Sequence, residues 1–367
     1  MVELGCGSLG TGSSSQGETI SIYEDHGPAV DPNRVVEAVV RDGILGGEMD
    51  QAGFDRYLDS RMGDFGRNTC FALSLAFSDA SAISAGTERR DGLKPPRICF
   101  NVLNGGLHAY TNPVLSDFAE FLVVPTHDDL LRSLSEHGRI QDAIAARLLT
   151  SSQVVVNDHK VNAFAKRDNK APFRFLVEVL EELGLRSEYD VMVDASAGDL
   201  WASDRYHFPV TDGSSRTSEE MCAYWLDLVE EFSIGVLEDP FHEQDFAAWT
   251  ALTDQCGDRC MVVGDNLYSS DADRIAAGAR GGHSTAAIVK PNQAGTVSAT
   301  VGAIETAQAG GLTVITSHRS ISTESTFVCD VTCERNVPYI KIGPLFSDYS
   351  SVIRLNHILR LTGVGHG

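Results

Sequence analysis

The stretch AAIVKPNQAG, residues 286–295, ends a run of four apolar residues on Lys290, directly before Pro291. An isolated lysine at such a place is ordinarily a snorkelling contact, its stem on apolar neighbours and its ammonium in water. Lys290 is not isolated in this sense. Short β-rich runs each finish on a polar residue: YDVMVDAS on Asp194, FSIGVLEDP on Glu238, CMVVGDN on Asp265, LTVITSHRS on His318 and PYIKIG on Lys341. With Lys290 in its place, successive separations are 44, 27, 25, 28 and 23 residues. Helical patterns such as DADRIAAGAR and TVSATVGAIETAQAGG fill several of these intervals. A strand, a helix and two loops need about that length, so the runs read as successive βα units of a parallel sheet. The long first interval takes an insertion, supplied by GDLWASDRYHFPVTDGSS.

Polar residues at the same end of six strands fit a closed ring better than an open, doubly wound sheet. In a (β/α)8 barrel the carboxyl ends of the strands converge on one face and carry the site. The Gly/Ser-rich segment GSLGTGSSSQGE follows no strand and lacks G-x-G-x-x-G spacing, which argues against a dinucleotide site and for a loop. Helical sequence follows: DPNRVVEAVV and DQAGFDRYLDSRM start on Asp in capping positions, and the more apolar NTCFALSLAFSDASAISAG reads as the helix that seals this region. The adjacent prolines of DGLKPPR break the pattern near residue 95. The expected organisation is a smaller α+β region over 1–95 and the barrel over 96–367.

The chain has 367 residues, 43% of them apolar, enough for a large core. With 51 acidic against 29 basic residues its formal charge is −22, which disfavours nucleic acid and anionic membrane surfaces as partners. An anionic substrate therefore needs a local cationic site. No apolar stretch is long enough to cross a bilayer and the N-terminus lacks a signal-peptide pattern, so the expected location is cytoplasmic. The eight cysteines read as free thiols. The Cys256/Cys260 and Cys329/Cys333 pairs lack the histidines and spacing of a zinc finger.

Asp194, Glu238 and Asp265 would place three carboxylates around one mouth, where without a cation they repel and one takes up a proton. Singly, each is more simply a surface acid or a helix cap; together at consecutive strand ends they suit a hard divalent cation, and all-oxygen ligation favours magnesium. A lysine next to such a cation and out of water releases its proton more readily, so Lys290 becomes a general base for a proton beside a carboxylate.

These residues also carry a likeness. NVLNGGLHAY, LEDPFHEQDFAAW, VVGDN, AAIVKPNQAG, VITSHRSISTESTF and YIKIG resemble, in order, the motifs of the enolase family, and the likeness runs from about residue 55 to the C-terminus. The resemblance implies an enolase-type barrel with a shortened N-terminal domain and two Mg²⁺ per site. It implies Asp194, Glu238 and Asp265 as ligands of the first ion, and Lys290 as the base, the role a lysine plays in that superfamily. It implies Arg319 and Ser320 on the substrate phosphate, His318 and Lys341 in contact with substrate, His108 on a closing loop, and Glu120 as one of two glutamates assisting hydroxide departure. Ser14 weakly resembles the serine loop of the second magnesium, a role Ser13 or Ser15 could equally fill. Family members commonly form dimers, so a homodimer is the corresponding expectation.

The chain departs from the family where a G-D-E-G-G signature is expected. VVVNDHKVNAF stands there, with His159 in the place of the glutamate that protonates the leaving hydroxyl. Imidazolium is a competent acid near neutral pH. A His-Lys pair also favours an additional negative group on the substrate, as in the enolase-like synthases that make carboxyphosphonoenolpyruvate from 2-phosphonoformylglycerate. The expected function is thus a magnesium-dependent lyase dehydrating a phosphate- or phosphonate-bearing 2-phosphoglycerate analogue. The alternatives are ordinary dehydration of 2-phosphoglycerate to phosphoenolpyruvate and a catalytically dead binding protein. An acid-sugar or amino-acid enzyme of the wider superfamily would not explain the phosphate-binding SHRS.

Overall fold

A computed structural model describes residues 2–3, 9–14, 21–23, 30–44, 49–86, 92–105, 111–156, 158–320, 322–345 and 348–364. Eight strands close a barrel: β1 (Arg97–Gly105), β2 (Glu120–Pro125), β3 (Tyr189–Asp194), β4 (Ile234–Glu238), β5 (Met261–Gly264), β6 (Ala286–Val289), β7 (Thr313–Ser317) and β8 (Tyr339–Lys341). Closure comes from β8 pairing in parallel with β1. The six strands legible from their spacing, β3 to β8, are parallel throughout. β2 is the exception and runs antiparallel to both β1 and β3. Among its described residues the connection from β1, 111–119, carries the short strand Pro113–Val114 and no helix.

Side chains alternate across the barrel wall. Val191 and Val193 belong to the apolar layer shared with the outer helices, while Met192 between them joins Cys99, Leu122, Val236, Val263, Ile288 and Ile315 in a separate internal cluster. The internal filling lies below the strand ends and leaves the carboxyl-end mouth open to polar groups. Gly105 at the end of β1 lies so close to β2 that a Cβ there would sit 1.7 Å from the Phe118 carbonyl oxygen.

The insertion after β3 forms a three-stranded antiparallel sheet of Trp201–Ala202, Arg205–His207 and Ser215–Arg216. An antiparallel hairpin, Ser152–Val156 with His159–Ala163, is attached beside the end of β1 through Pro113–Val114. The seven cysteines among the described residues are free and buried, and Cys329 and Cys333 lie on the helix Phe327–Glu334.

Among its described residues the N-terminal region is mainly helical, with Val2–Glu3 paired to Leu9–Gly10. As the sequence indicates, Asp31 caps the helix Pro32–Arg41 and Asp50 caps Gln51–Ser60, each accepting a backbone N–H. The helix Arg67–Ala85 packs on them through a cluster that includes Val35, Phe54, Leu58 and Phe77, with the Phe54 and Phe77 rings stacked 4.4 Å apart. Its polar attachment to the barrel is specific. Buried Asp55 accepts from Ser74 Oγ at 2.5 Å and from the Ser298 N–H at 2.8 Å, and Ser74 Oγ accepts from the Val297 N–H at 2.8 Å. These N–H groups open the helix Val297–Ala309, so two side chains of the N-terminal region cap the helix that follows β6.

Candidate active site

The strand ends meet as their spacing suggests. Asp194 and Glu238 are the last residues of β3 and β4 and stand opposite each other in the ladder. Asp265, Lys290 and His318 each come one residue after β5, β6 and β7, and Lys341 ends β8. Glu120 reaches the same mouth for the opposite reason. It is the first residue of the reversed strand, and it pairs with Asp194 on one side and Asn104 on the other. A cavity of about 390 Å³ opens here, lined by Glu120, Asp194, Asp265, Lys290, Arg319, Lys341 and their neighbours. That volume is in the range of small-ligand sites.

Charge is densely paired in this cavity. Lys341 Nζ lies 2.9 Å from Asp194 Oδ2, 2.7 and 2.9 Å from the two Glu238 oxygens and 2.9 Å from Glu120 Oε2. Lys290 Nζ is paired with Asp265 Oδ2. Burial drives the Asp194 pKa up, but the charge and hydrogen bond of Lys341 outweigh it and hold the carboxyl at about 2. Glu238 is fully buried, and burial together with the Asp194 charge pushes its carboxyl well above the ordinary range despite Lys341. Burial would strip Lys341 of its proton, yet Asp194, Glu120 and Glu238 raise its pKa well above the ordinary lysine range.

Asp239, absent from the residues singled out in the sequence, shapes this end of the barrel. Its carboxylate accepts the Asp265 and Asn266 N–H groups at 3.0 and 2.8 Å and so fixes the turn that presents Asp265. Its φ of 44° places it in the left-handed region, which aspartate tolerates better than most residues. The acidic pair in LEDP was the available signal.

His318 is held as a neutral ring. The Gly343 N–H donates to Nε2 at 3.2 Å, so the proton resides on Nδ1, which faces Ser322 Oγ at 2.7 Å. Ser322 Oγ in turn donates to the Arg319 carbonyl at 2.5 Å. Burial, aided by the Arg354 charge, lowers the His318 pKa to about 3. Arg319 is buried and Ser320 exposed, and both line the cavity. Asn101, Ser196, Asn266 and Asp348 line it too; none of them ended a legible strand, which is why spacing did not select them.

Some expected residues are not brought here. His159 is exposed at the start of a hairpin strand and does not line the cavity, because the segment that replaces the expected signature turns back on itself at Asp158, whose φ is 65°. Ser14 donates to Asn68 Oδ1 at 3.0 Å instead of lining the cavity, while Ser13 reaches Thr323 Oγ1 at 3.1 Å. His108 and Ser15 lie outside the described residues.

An α/β barrel with paired lysines and buried carboxylates at its carboxyl-end mouth has the equipment of a proton-abstracting site on an anionic small molecule. Residues 94–364 match the family model for the enolase C-terminal TIM barrel domain, and the chain belongs to this family. Among the described residues no helix is long and apolar enough to cross a membrane.

The family implies magnesium, and the donor chemistry fits it. Asp194, Glu238 and Asp265 offer only hard oxygens, are all buried, and Asp265 Oδ1 has no hydrogen-bond partner among the described residues. Charge gives the same answer: the cavity lining counts Lys290, Arg319 and Lys341 against Glu120, Asp194, Asp265 and Asp348, a net negative wall that an anionic substrate would not enter unaided. Among the described residues no three such side chains converge on one point at ligating distance; the Lys341 ammonium lies between Asp194, Glu238 and Glu120, and Lys290 is paired with Asp265.

Proposed function

We propose that this chain is a magnesium-dependent, enolase-like hydro-lyase that eliminates water from a close analogue of 2-phosphoglycerate, such as 2-phosphonoformylglycerate going to carboxyphosphonoenolpyruvate. The observation that carries this is the sharing of one 390 Å³ cavity by Lys290, Lys341, Arg319, Ser320, Glu120 and two of the three candidate metal carboxylates. Arg319 and Ser320 hold the phosphate or phosphonate, for which the guanidinium fork is suited. Lys341 meets the substrate carboxylate, and Lys290 takes the proton from the adjacent carbon. The electron pair left on that carbon forms the new double bond as hydroxide leaves the next carbon, and Glu120 stands on the side from which a proton completes water. Asp194, Glu238 and Asp265 would hold Mg²⁺, which when bound would supply positive charge for the carboxylate as it gains electron density. The substitution of NDHK for the family signature, and the exposed position of His159, favour a leaving-group environment altered from the ordinary one, hence an analogue substrate.

Incubation with 2-phosphoglycerate and Mg²⁺ in deuterated water tests this reading by following enol absorbance and loss of the carbon-2 proton. Exchange with little or no dehydration is the expected result. Full dehydration would overturn the analogue and establish the ordinary substrate. Absence of both reactions with 2-phosphoglycerate and with 2-phosphonoformylglycerate would overturn the lyase and leave a binding protein.

A further inference from the structure

Arg354, on the helix Tyr349–Thr362, is 2% exposed and forms no ion pair with any carboxylate among the described residues. A guanidinium is seldom buried without a carboxylate partner, since its desolvation has to be offset by hydrogen bonds. Two of those bonds fall on one segment, and the third stays within the Arg354 helix. Nη2 donates to the Thr323 carbonyl at 2.7 Å, Nε to the Ser325 carbonyl at 3.2 Å, and Nη1 to Ser350 Oγ at 2.9 Å. The segment held this way continues directly from Arg319 and Ser320. It also contains Ser322, whose hydroxyl links the Arg319 carbonyl to the His318 ring, and that ring ties to Gly343, two residues beyond Lys341.

Arg354 does not line the 390 Å³ cavity. It borders a smaller void of about 30 Å³ behind the cavity, together with Arg319, His318 and Ser317. It therefore stands one layer behind the anion-binding groups. The Ser13 hydroxyl also reaches this segment, at Thr323 Oγ1, so the segment is held by both the C-terminal helix and the N-terminal region.

We infer that Arg354 is a positioning residue for the anion-binding segment: its fork of N–H donors, satisfied by the Thr323 and Ser325 carbonyls, sets the course of the backbone that presents Arg319 and Ser320. This rests on the proposed function, in which those two residues bind the phosphate. A planar fork on two carbonyls fixes the segment in a way a single ammonium cannot reproduce. Substrate affinity should then depend on Arg354 more than the proton-transfer step does, because Lys290 sits on a different strand end.

The test uses the full chain with Mg²⁺ and two probes, inorganic phosphate binding by calorimetry and carbon-2 exchange of 2-phosphoglycerate. Arg354→Ala is expected to weaken phosphate binding and raise KM for exchange at least tenfold, with kcat changed less than threefold. Added guanidinium should restore KM, whereas methylammonium should not. Should Arg354→Ala fail to fold, Arg354→Lys carries the test with the same split in KM against kcat, since a lysine supplies the charge without the fork. Wild-type phosphate affinity in a folded variant overturns the inference alone, as does a lowered Tm with unchanged KM, which would mark a purely structural residue. Failure of the wild-type protein to bind phosphate or 2-phosphoglycerate overturns the proposed function and this inference with it.

Discussion

Glu120 and Asp194 face each other across an antiparallel ladder, one opening its strand and the other closing its own. In a uniformly parallel barrel the first residue of a strand lies at the floor, away from the chemistry. Reversal of β2 is what delivers Glu120 to the mouth, 2.9 Å from the ammonium that Asp194 also contacts.

Glu120→Gln therefore separates two steps. Proton exchange at carbon 2 should persist, while water loss from the true substrate should fall at least about a hundredfold, the usual contribution of a positioned acid. Matched losses of exchange and elimination, read by NMR and absorbance in parallel, would remove Glu120 from the leaving-group side.

Lys290→Met should abolish exchange, with a drop on the order of a thousandfold or more, while leaving the fold intact. Circular dichroism and the thermal transition check the second half. Retention of exchange in the folded variant would assign the base elsewhere.

His159 can be tested directly. From its exposed position, His159→Ala should change exchange and elimination by less than about threefold, since surface changes away from the reacting groups are usually mild. A loss of tenfold or more in elimination alone would show that the hairpin supplies the acid.

Lys341 shares its ammonium among three carboxylates, two of which are candidate magnesium ligands. Lys341→Met should tighten Mg²⁺ binding several-fold in a calorimetric titration, because a competing cation is gone, while turnover is lost. Weaker Mg²⁺ binding would mean that the lysine supports the metal and does not compete with it.

Acid stability should carry the mark of His137, which stacks on Phe100 at 4.4 Å and is lowered by burial to about 4. Its folded pKa lies below the unfolded value of about 6.5, so the unfolded chain binds more protons between the two. Stability is complete above pH 6.5 and declines as pH falls toward 4, by roughly 3 kcal/mol at most from this residue. His318, lowered to about 3, extends the same trend further into acid. Urea titrations from pH 7 to 4 should show the decline, and His137→Phe should reduce its slope while leaving the share that His318 contributes over the same window; an unchanged slope would place the effect elsewhere.

Much of the barrel was legible because its later strands are short, β-rich and end on chemistry-bearing residues at near-regular intervals, from Asp194 to Lys341. β2 gave no such rhythm, since its polar residue stands at its start; only the family likeness pointed to Glu120. Arg354, and Asp239 beyond the hint of the acidic pair in LEDP, escaped for another reason. Each acts by hydrogen bonds to a backbone N–H or carbonyl contributed by a distant part of the chain, and such partners leave no trace in side-chain pattern. The local departure at His159 could be read as a change of residue, but its place on a hairpin depended on pairing across the turn.

Asp55 and Ser74 make the two regions chemically inseparable. A shortened chain beginning at the proline-rich break near residue 95 would keep Thr296 as the cap on the Ala299 N–H but leave the Val297 and Ser298 N–H groups without their acceptors, and Asp55→Ala alone should cost about 1–3 kcal/mol in urea unfolding. Exchanging the N-terminal region for that of a relative would thus transplant two hydrogen-bond acceptors along with a helical layer. Chimeras should succeed or fail according to whether the donor sequence brings an acidic residue and a hydroxyl to those two positions.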